Sequence, residues 1–230
     1  MFDTDYKALV IGATGAIGGA FVAAFQSDSR CTHVELVSRS LSPGFDLLNS
    51  ASIEAQAEVC RASGPYRIII DATGALTIGG VGPEKSLASL REEVLLENFH
   101  INAVAPVLVL RHFAPLLAAG PAVYAKLSAR VGSISDNTKG GWYGYRAAKA
   151  ALNMLLQTAA IELQRKNTEL RVVALQPGTV RSNLSKAFAS SAPHLMEPAE
   201  SVAGMLAALK ELTPKSGAHY VDHKGESIAW

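Results

Sequence analysis

The residues that most constrain what this chain can fold into lie near its start. Ala8-Leu9-Val10-Ile11 is a short apolar run that stops at a glycine, as a buried parallel strand does. Gly12-Ala13-Thr14-Gly15-Ala16-Ile17-Gly18-Gly19 follows, and then an apolar helical pattern carried by Ala20, Phe21, Ala24 and Phe25. Strand, glycine-rich turn and helix in that order form a phosphate-binding device. The glycines permit a tight turn and close backbone approach, and the helix N-terminus offers free N–H groups at the positive end of its dipole. Gly12, Thr14, Gly15, Ile17 and Gly18 are therefore candidate dinucleotide contacts.

A second strand is expected over residues 33–39, ending in Ser38-Arg39. A carboxylate at that tip, about 20 residues beyond the glycine turn, would hydrogen-bond the ribose hydroxyls of NAD; an arginine suits a 2′-phosphate. The tip carries no carboxylate, and Glu35 sits mid-strand, so the pattern favours NADP(H), with NAD(H) the alternative. Residues 40–44 are too few for a crossover helix. Asp46-Leu47 reads as the end of a very short strand, with Asp46 placed to meet an adenine amino group. A helix is expected over residues 52–62, capped by Ser50 or Ser52, with Cys60 in the core.

Arg67-Ile68-Ile69-Ile70-Asp71 is another buried strand and runs into Ala72-Thr73-Gly74. The glycine-rich residues 76–85 form a loop after that strand's carboxyl end, where α/β sheets bind ligands. A single long helix is expected over residues 89–118, with Leu90, Val94, Leu95, Phe99, Val104, Leu108 and Phe113 as its apolar stripe and Pro106 as a kink. Asn102 lies beside that kink. Strands are expected at 122–128, 170–175 and 218–222, and a final helix at 198–212. Strand and helix alternate without linker or repeat, which predicts one α/β, doubly wound, Rossmann-type domain over residues 1–230 with a mostly parallel sheet of about seven strands.

Composition narrows the function classes. The chain has 230 residues, 49% hydrophobic and 18% charged, with net charge +1. A charge so near zero gives no electrostatic reason to expect nucleic acid or an anionic membrane as partner. Two cysteines make no disulfide framework and suit a reducing, cytoplasmic setting. The acidic first residues do not resemble a signal peptide, and no stretch of about 18 uninterrupted apolar residues predicts a membrane span.

The chemistry concentrates in Tyr145-Arg146-Ala147-Ala148-Lys149, at the head of an Ala- and Leu-rich helix. Residues four apart share a helix face. An ammonium beside a phenol in a partly dry site favours the ionised phenol, which makes Tyr145 a proton donor and acceptor near neutral pH. Serine 128 stands at the exit of the preceding strand, followed by Ala129, and Ser133 lies twelve residues before Tyr145.

With the glycine turn, Asp71-Ala72-Thr73-Gly74, Asn102, the strand-exit serine, Tyr145-x-x-x-Lys149 and Pro177-Gly178 together, the chain resembles the short-chain dehydrogenase/reductase family over essentially its whole length. Gly132-Ser133-Ile134-Ser135-Asp136-Asn137 running into Gly140-Gly141-Trp142-Tyr143 resembles its C-factor-like and sniffer-like branch. The resemblance implies that Tyr145 exchanges a proton with the substrate oxygen. It gives Lys149 the tasks of lowering the phenol pKa and holding the nicotinamide ribose. It has Asn102 position a water of a proton relay through Lys149. Asp71, Ala72, Thr73 and Gly74 would line the adenine ribose, and Pro177, Gly178 and Val180 the nicotinamide. It also implies a homodimer or homotetramer. Two departures stand out: Asp71 replaces the family's usual Asn, and Ala129 occupies the position of the carbonyl-polarising serine. Ser128, Ser133 or neither takes that part, and a missing donor of this type typically lowers the rate by ~10²–10³.

The reading is an NADP(H)-dependent oxidoreductase that interconverts a carbonyl and a primary or secondary alcohol, its activity impaired by Ala129. The alternative is a cofactor-binding signalling or regulatory protein with little turnover. Leu184, Phe188, Leu195 and Met196 in residues 181–198 predict a small apolar substrate, with Trp142 and Tyr143 as further lining or packing residues. No metal site is expected.

Overall fold

The computed structural model describes residues 2–182, 184–185 and 195–230. Its frame is a parallel sheet of six strands: β1 (Tyr6–Ile11), β2 (Cys31–Val37), β3 (Ile68–Asp71), β4 (Ala122–Leu127), β5 (Leu170–Gln176) and β6 (His219–Asp222). They pair in the order β2-β1-β3-β4-β5-β6. The direction of winding reverses between β1 and β3, which puts the ligand crevice of such a sheet outside their carboxyl ends.

Side-chain alternation divides the core in two. Ala8, Val10, Ile68, Ile70, Val123, Ala125, Val173 and Leu175 face the helices α1 (Ala16–Ser27) and α6 (Pro198–Glu211), meeting Phe21, Phe25, Val202, Met205 and Leu209. Leu9, Ile11, Ile69, Tyr124, Val172 and Ala174 face the other layer, formed by α2 (Ser50–Arg61), α3 (Glu92–Phe99), α4 (Ala105–Phe113) and α5 (Tyr143–Gln164). Every residue of β3 and β4 is buried, so the sheet centre admits apolar runs without a polar face.

Four local readings change. Asp46-Leu47 forms a turn, not a strand, because too few residues separate it from β2. Asp46 Oδ1 accepts the Leu48 N–H at 2.9 Å, and Leu47 packs half-buried on the core. Helix α2 starts at Ser50 and is capped by Asn49, whose Oδ1 accepts from Ala51 and Ser52. Ser52 instead ties back to Asp46 through both its hydroxyl and the Asp46 N–H. Strand β2 ends at Val37, leaving Ser38-Arg39 in the turn beyond it. The expected long helix is three pieces, α3, a π-turn at His100–Val104 and α4, since Pro106 cannot donate and the ladder resets around Asn102. This run, Glu92–Leu116, is long and apolar enough to cross a membrane, but Val94, Asn98, Val109, Leu110 and Phe113 are buried in the protein. Cys31 and Cys60 are both free thiols, and Cys60 is in the core.

Candidate active site

The glycine turn sits at the reversal point, against the exit of β3. Gly12 has φ 83°, and a Cβ there would stand 3.1 Å from the Ala72 carbonyl carbon. Gly18 is tighter: a Cβ would reach 2.1 Å from the Gly12 oxygen, so only glycine lets α1 approach the turn. Helix α1 begins at Ala16, with Gly15 as its N-cap, no side-chain cap bond and no acid in its first turn. Its N-terminal N–H groups are thus available to an anion. Thr14 and Ile17 lie on this turn, Thr14 exposed and within 3.4 Å of the Ser40 hydroxyl.

The β2 exit is tied to the same place, since Gly12 and Ala13 both donate to the Val37 carbonyl. Ser38 is buried and its hydroxyl accepts from Leu41. Arg39 is exposed, and among the described residues its guanidinium has no side-chain or backbone partner. The glycine cradle, the open helix end and a free guanidinium fit a dinucleotide bearing an extra phosphate. Asp46 and Leu47 stand further out, and Asp46 uses its carboxylate within its own turn.

Tyr145, Lys149 and Asn153 recur every four residues along one face of α5, and all three are buried. Lys149 Nζ lies 5.6 Å from the Tyr145 ring centroid and donates to the Leu127 carbonyl at 3.1 Å. The pKa relation differs from the expected one. Burial pushes the Tyr145 phenol well above its ordinary value, with the nearby Tyr220 adding to the rise. The Lys149 ammonium is pulled down to about 7, first by burial and then by the Lys126 charge, with Asp71 opposing. Both shifts have burial as their first cause, and the ammonium is turned toward a backbone carbonyl.

Three further site candidates, Ser128, Ser133 and Asn102, are engaged within the protein. Ser128 is buried and gives its hydroxyl proton to Asn153 Oδ1 at 2.7 Å, so this conformation does not offer that proton to a substrate. The Ser133 hydroxyl accepts the Asp136 N–H at 3.1 Å and is also buried. Asn102 braces the loop after β3. Its amide receives the Ala75 N–H at 3.1 Å and donates to the Ala75 carbonyl at 2.8 Å and to Asn98 Oδ1 at 2.9 Å. The π-turn aims the amide at the loop after Gly74, with one N–H given to that loop and one to Asn98 on α3.

Pairs that sequence reasoning missed surround these groups. Lys126 and Asp71 are register partners on β4 and β3, both fully buried, with Nζ 2.8 Å from Asp71 Oδ1. Lys126 also donates to the Thr73 carbonyl at 2.6 Å and the Thr73 hydroxyl at 2.9 Å. The departure at Asp71 is thereby matched by a cation on the neighbouring strand, and the Asp71 carboxylate faces Lys126 and Thr73, not the crevice. A lone lysine inside the apolar run Ala122–Leu127 was the visible signal. Glu84, from the loop after β3, is the other: its carboxylate accepts the Gly144 N–H and caps α5.

Pro177 and Gly178 follow β5, Gly178 at φ 77° and close under Met196. Val180 is buried and bridged to Met196. Leu184 is exposed and Leu195 half-buried; Phe188 lies outside the described residues. Ala72, Thr73 and Gly74 edge the crevice, with the Gly74 α-carbon facing Asn102 and Lys149. Among the described residues no group of three or more His, Cys, Asp or Glu side chains could hold a metal ion.

A glycine cradle, a Tyr-Lys helix face and a parallel doubly wound sheet define a dinucleotide-dependent oxidoreductase class. The short chain dehydrogenase family model matches residues 44–192, and the chain belongs to that family. It is 29% identical over 191 residues to 1-hydroxy-2-glutathionyl-2-methyl-3-butene dehydrogenase of Rhodococcus sp. (strain AD45), covering 83% of this chain and 80% of that one. It is 33% identical over 138 residues to C-signal of Myxococcus xanthus, covering 59% and 78%. Among solved structures it resembles carbonyl reductase Sniffer of D. melanogaster, at TM-score 0.83 and 21% identity over 98% of this chain and all of that one. It also resembles NADPH-bound carbonyl reductase from chicken fatty liver, at TM-score 0.84 and 23% identity over 99% and 95%. The likeness to C-signal agrees with the C-factor-like affinity expected from Gly132 to Tyr143, and the two solved structures share the fold.

Proposed function

We propose that this chain is an NADP(H)-dependent reductase of small apolar carbonyl compounds. The carrying observation is the geometry of the Tyr145–Lys149 pair: both side chains are buried on one face of α5, with Lys149 Nζ 5.6 Å from the phenol ring centroid. A phenol so placed gives its proton to a carbonyl oxygen in the direction of reduction. The bound reduced cofactor would supply the hydride. The α1 N-terminus with Gly12, Thr14, Gly15, Ile17 and Gly18 would hold the pyrophosphate, Ser38 and Arg39 the 2′-phosphate, and Asp46 and Leu47 the adenine side. Ala72, Thr73 and Gly74 would edge the ribose, and Pro177, Gly178 and Val180 the nicotinamide. The family likeness and the NADPH-bound carbonyl reductase fold support this placement.

Lys149 holds the nicotinamide ribose and restores the phenol's proton, while Asn102 keeps the Gly74–Ala75 backbone seated beside it. Ser128, tied to Asn153, positions α5 against the end of β4 and takes no proton-donor part in this conformation. Tyr145 is then the single donor to the substrate oxygen, and turnover is slow. Exposed Leu96 on α3 with Met154 and Ile161 on α5 provide an apolar face for a homodimer or homotetramer. The two free cysteines agree with a cytoplasmic location.

A second reading is a cofactor-binding signalling protein, favoured by Ala129 at the strand exit and by the likeness to C-signal. One titration followed by one assay separates the two. NADPH should bind more tightly than NADH, and Arg39→Ala should weaken NADPH far more than NADH; equal losses remove the phosphate role. Oxidation of bound NADPH on adding a diketone supports the enzyme, and tight binding with no oxidation supports the signalling reading.

A further inference from the structure

Backbone conformation just ahead of α5 is unusual. Gly140 and Gly141 have φ 63° and 64°, and Trp142 continues with φ 54° and ψ 40°, so three successive residues are left-handed. Glycine accepts that region freely, whereas a bulky L side chain rarely does. Trp142 is the only non-glycine residue with positive φ among the described residues.

The turn is held in place from two sides. The Glu84 carbonyl accepts the Trp142 N–H and its buried carboxylate accepts the Gly144 N–H, bracketing the strained residue. The carboxylate's other oxygen is buried without a partner among the described residues. From the far side, Arg146 Nε donates to the Gly141 carbonyl at 3.0 Å and the Gly140 carbonyl at 3.3 Å. Strain of this kind persists only when its surroundings over-determine it, and it gathers at functional sites.

What the strain achieves is the placement of one ring. The Trp142 indole meets the Tyr145 phenol edge to face, with centroids 6.3 Å apart and planes at 68°. Trp142 as a whole is half-buried at the head of α5. A helix begun in the ordinary way needs no tryptophan at its N-cap, where Asn, Asp, Ser or Thr serve better.

On the reading of the site given above, we infer that Trp142 is a specificity residue, forming an aromatic wall for carbonyl compounds that carry an aryl ring next to the reacting group. A ring held edge-on or offset against indole gains contact that an alkyl group of the same reactivity does not.

The test compares benzil with 2,3-butanedione, which share the reacting 1,2-dicarbonyl and differ in their rings, using wild type, Trp142→Gly and Trp142→Phe. The ratio of kcat/KM for benzil over butanedione should fall by ~10- to 100-fold in Trp142→Gly. Trp142→Phe should retain most of it. Since glycine relieves the left-handed φ, Trp142→Gly should melt at or above wild type. A melting point lower by ~5 °C or more, with both substrates losing equally, would make Trp142 a packing residue and overturn the inference. An unchanged ratio would overturn it too. If wild type binds NADPH but reduces neither diketone, the reductase reading fails while this inference is still decided by calorimetric titration of benzil into the NADPH-loaded protein. Binding lost in Trp142→Gly upholds it; equal or absent binding overturns it.

Discussion

Replacing Lys126 by Met would leave Asp71 buried without its cation, and the size of the effect follows from the surroundings. Both side chains are fully buried, and Nζ has three close acceptors in Asp71 Oδ1, the Thr73 carbonyl and the Thr73 hydroxyl. Three donations require an ammonium, so the pair is ionic. Breaking a buried ion pair from one side typically destabilises by ~3–5 kcal/mol, a large part of the ~5–15 kcal/mol that holds a domain together. The Thr73 N–H and hydroxyl still serve Asp71 at 2.9 and 2.6 Å, which places Lys126→Met toward the lower end of that range. Asp71→Asn combined with Lys126→Met removes both charges. It should recover most of the loss, because an uncharged pair of similar volume is often neutral or stabilising. Urea unfolding of the four proteins gives the coupling energy directly, provided the m-value stays constant. Single variants that each lose less than ~1 kcal/mol, or a double variant that loses their sum, would refute the reasoning.

Other outcomes follow from the same chemistry. Lys149 titrates near 7 in the fold against an ordinary 10.5, so folding favours its neutral form. The resulting destabilisation is fully present below pH 7 and fades as pH rises toward 10.5. Lys149→Met should therefore be more stable than wild type at neutral pH, with the advantage vanishing toward pH 10.5 in denaturant melts. A variant less stable at pH 7, or a difference independent of pH, would contradict this. Ala129→Ser should raise kcat at least ~10-fold by adding a donor to the substrate oxygen, measured in steady-state assays; no change would place the polarising group elsewhere.

The frame was legible because the signals were local. Ala8–Ile11 with Gly12 and Gly18 specifies strand, turn and helix within a dozen residues, and steric closeness at Gly18 leaves no alternative. Tyr145 and Lys149 were legible for the same reason, a fixed spacing on one helix. What escaped depends on contacts between distant segments. Asp71 looked like a departure until β3 and β4 paired in register and set it against Lys126. Asn102 was found, but its bonds to Ala75 were not, because that loop arrives from 27 residues away. The phenol's raised pKa is likewise a property of burial by several elements together, which spacing along α5 does not reveal. Asp46-Leu47 failed on a weak signal: two residues with turn chemistry on both sides do not make a strand.

The central claim is that Tyr145 donates the proton while other groups hold the cofactor. The most direct measurement is single-turnover oxidation of enzyme-bound NADPH by benzil in wild type and Tyr145→Phe, with NADPH affinity measured on the same preparations. The account predicts a rate lower by ~10²–10⁴ in Tyr145→Phe with NADPH affinity nearly unchanged. An undiminished rate, or a rate that falls only as far as the affinity does, would contradict it.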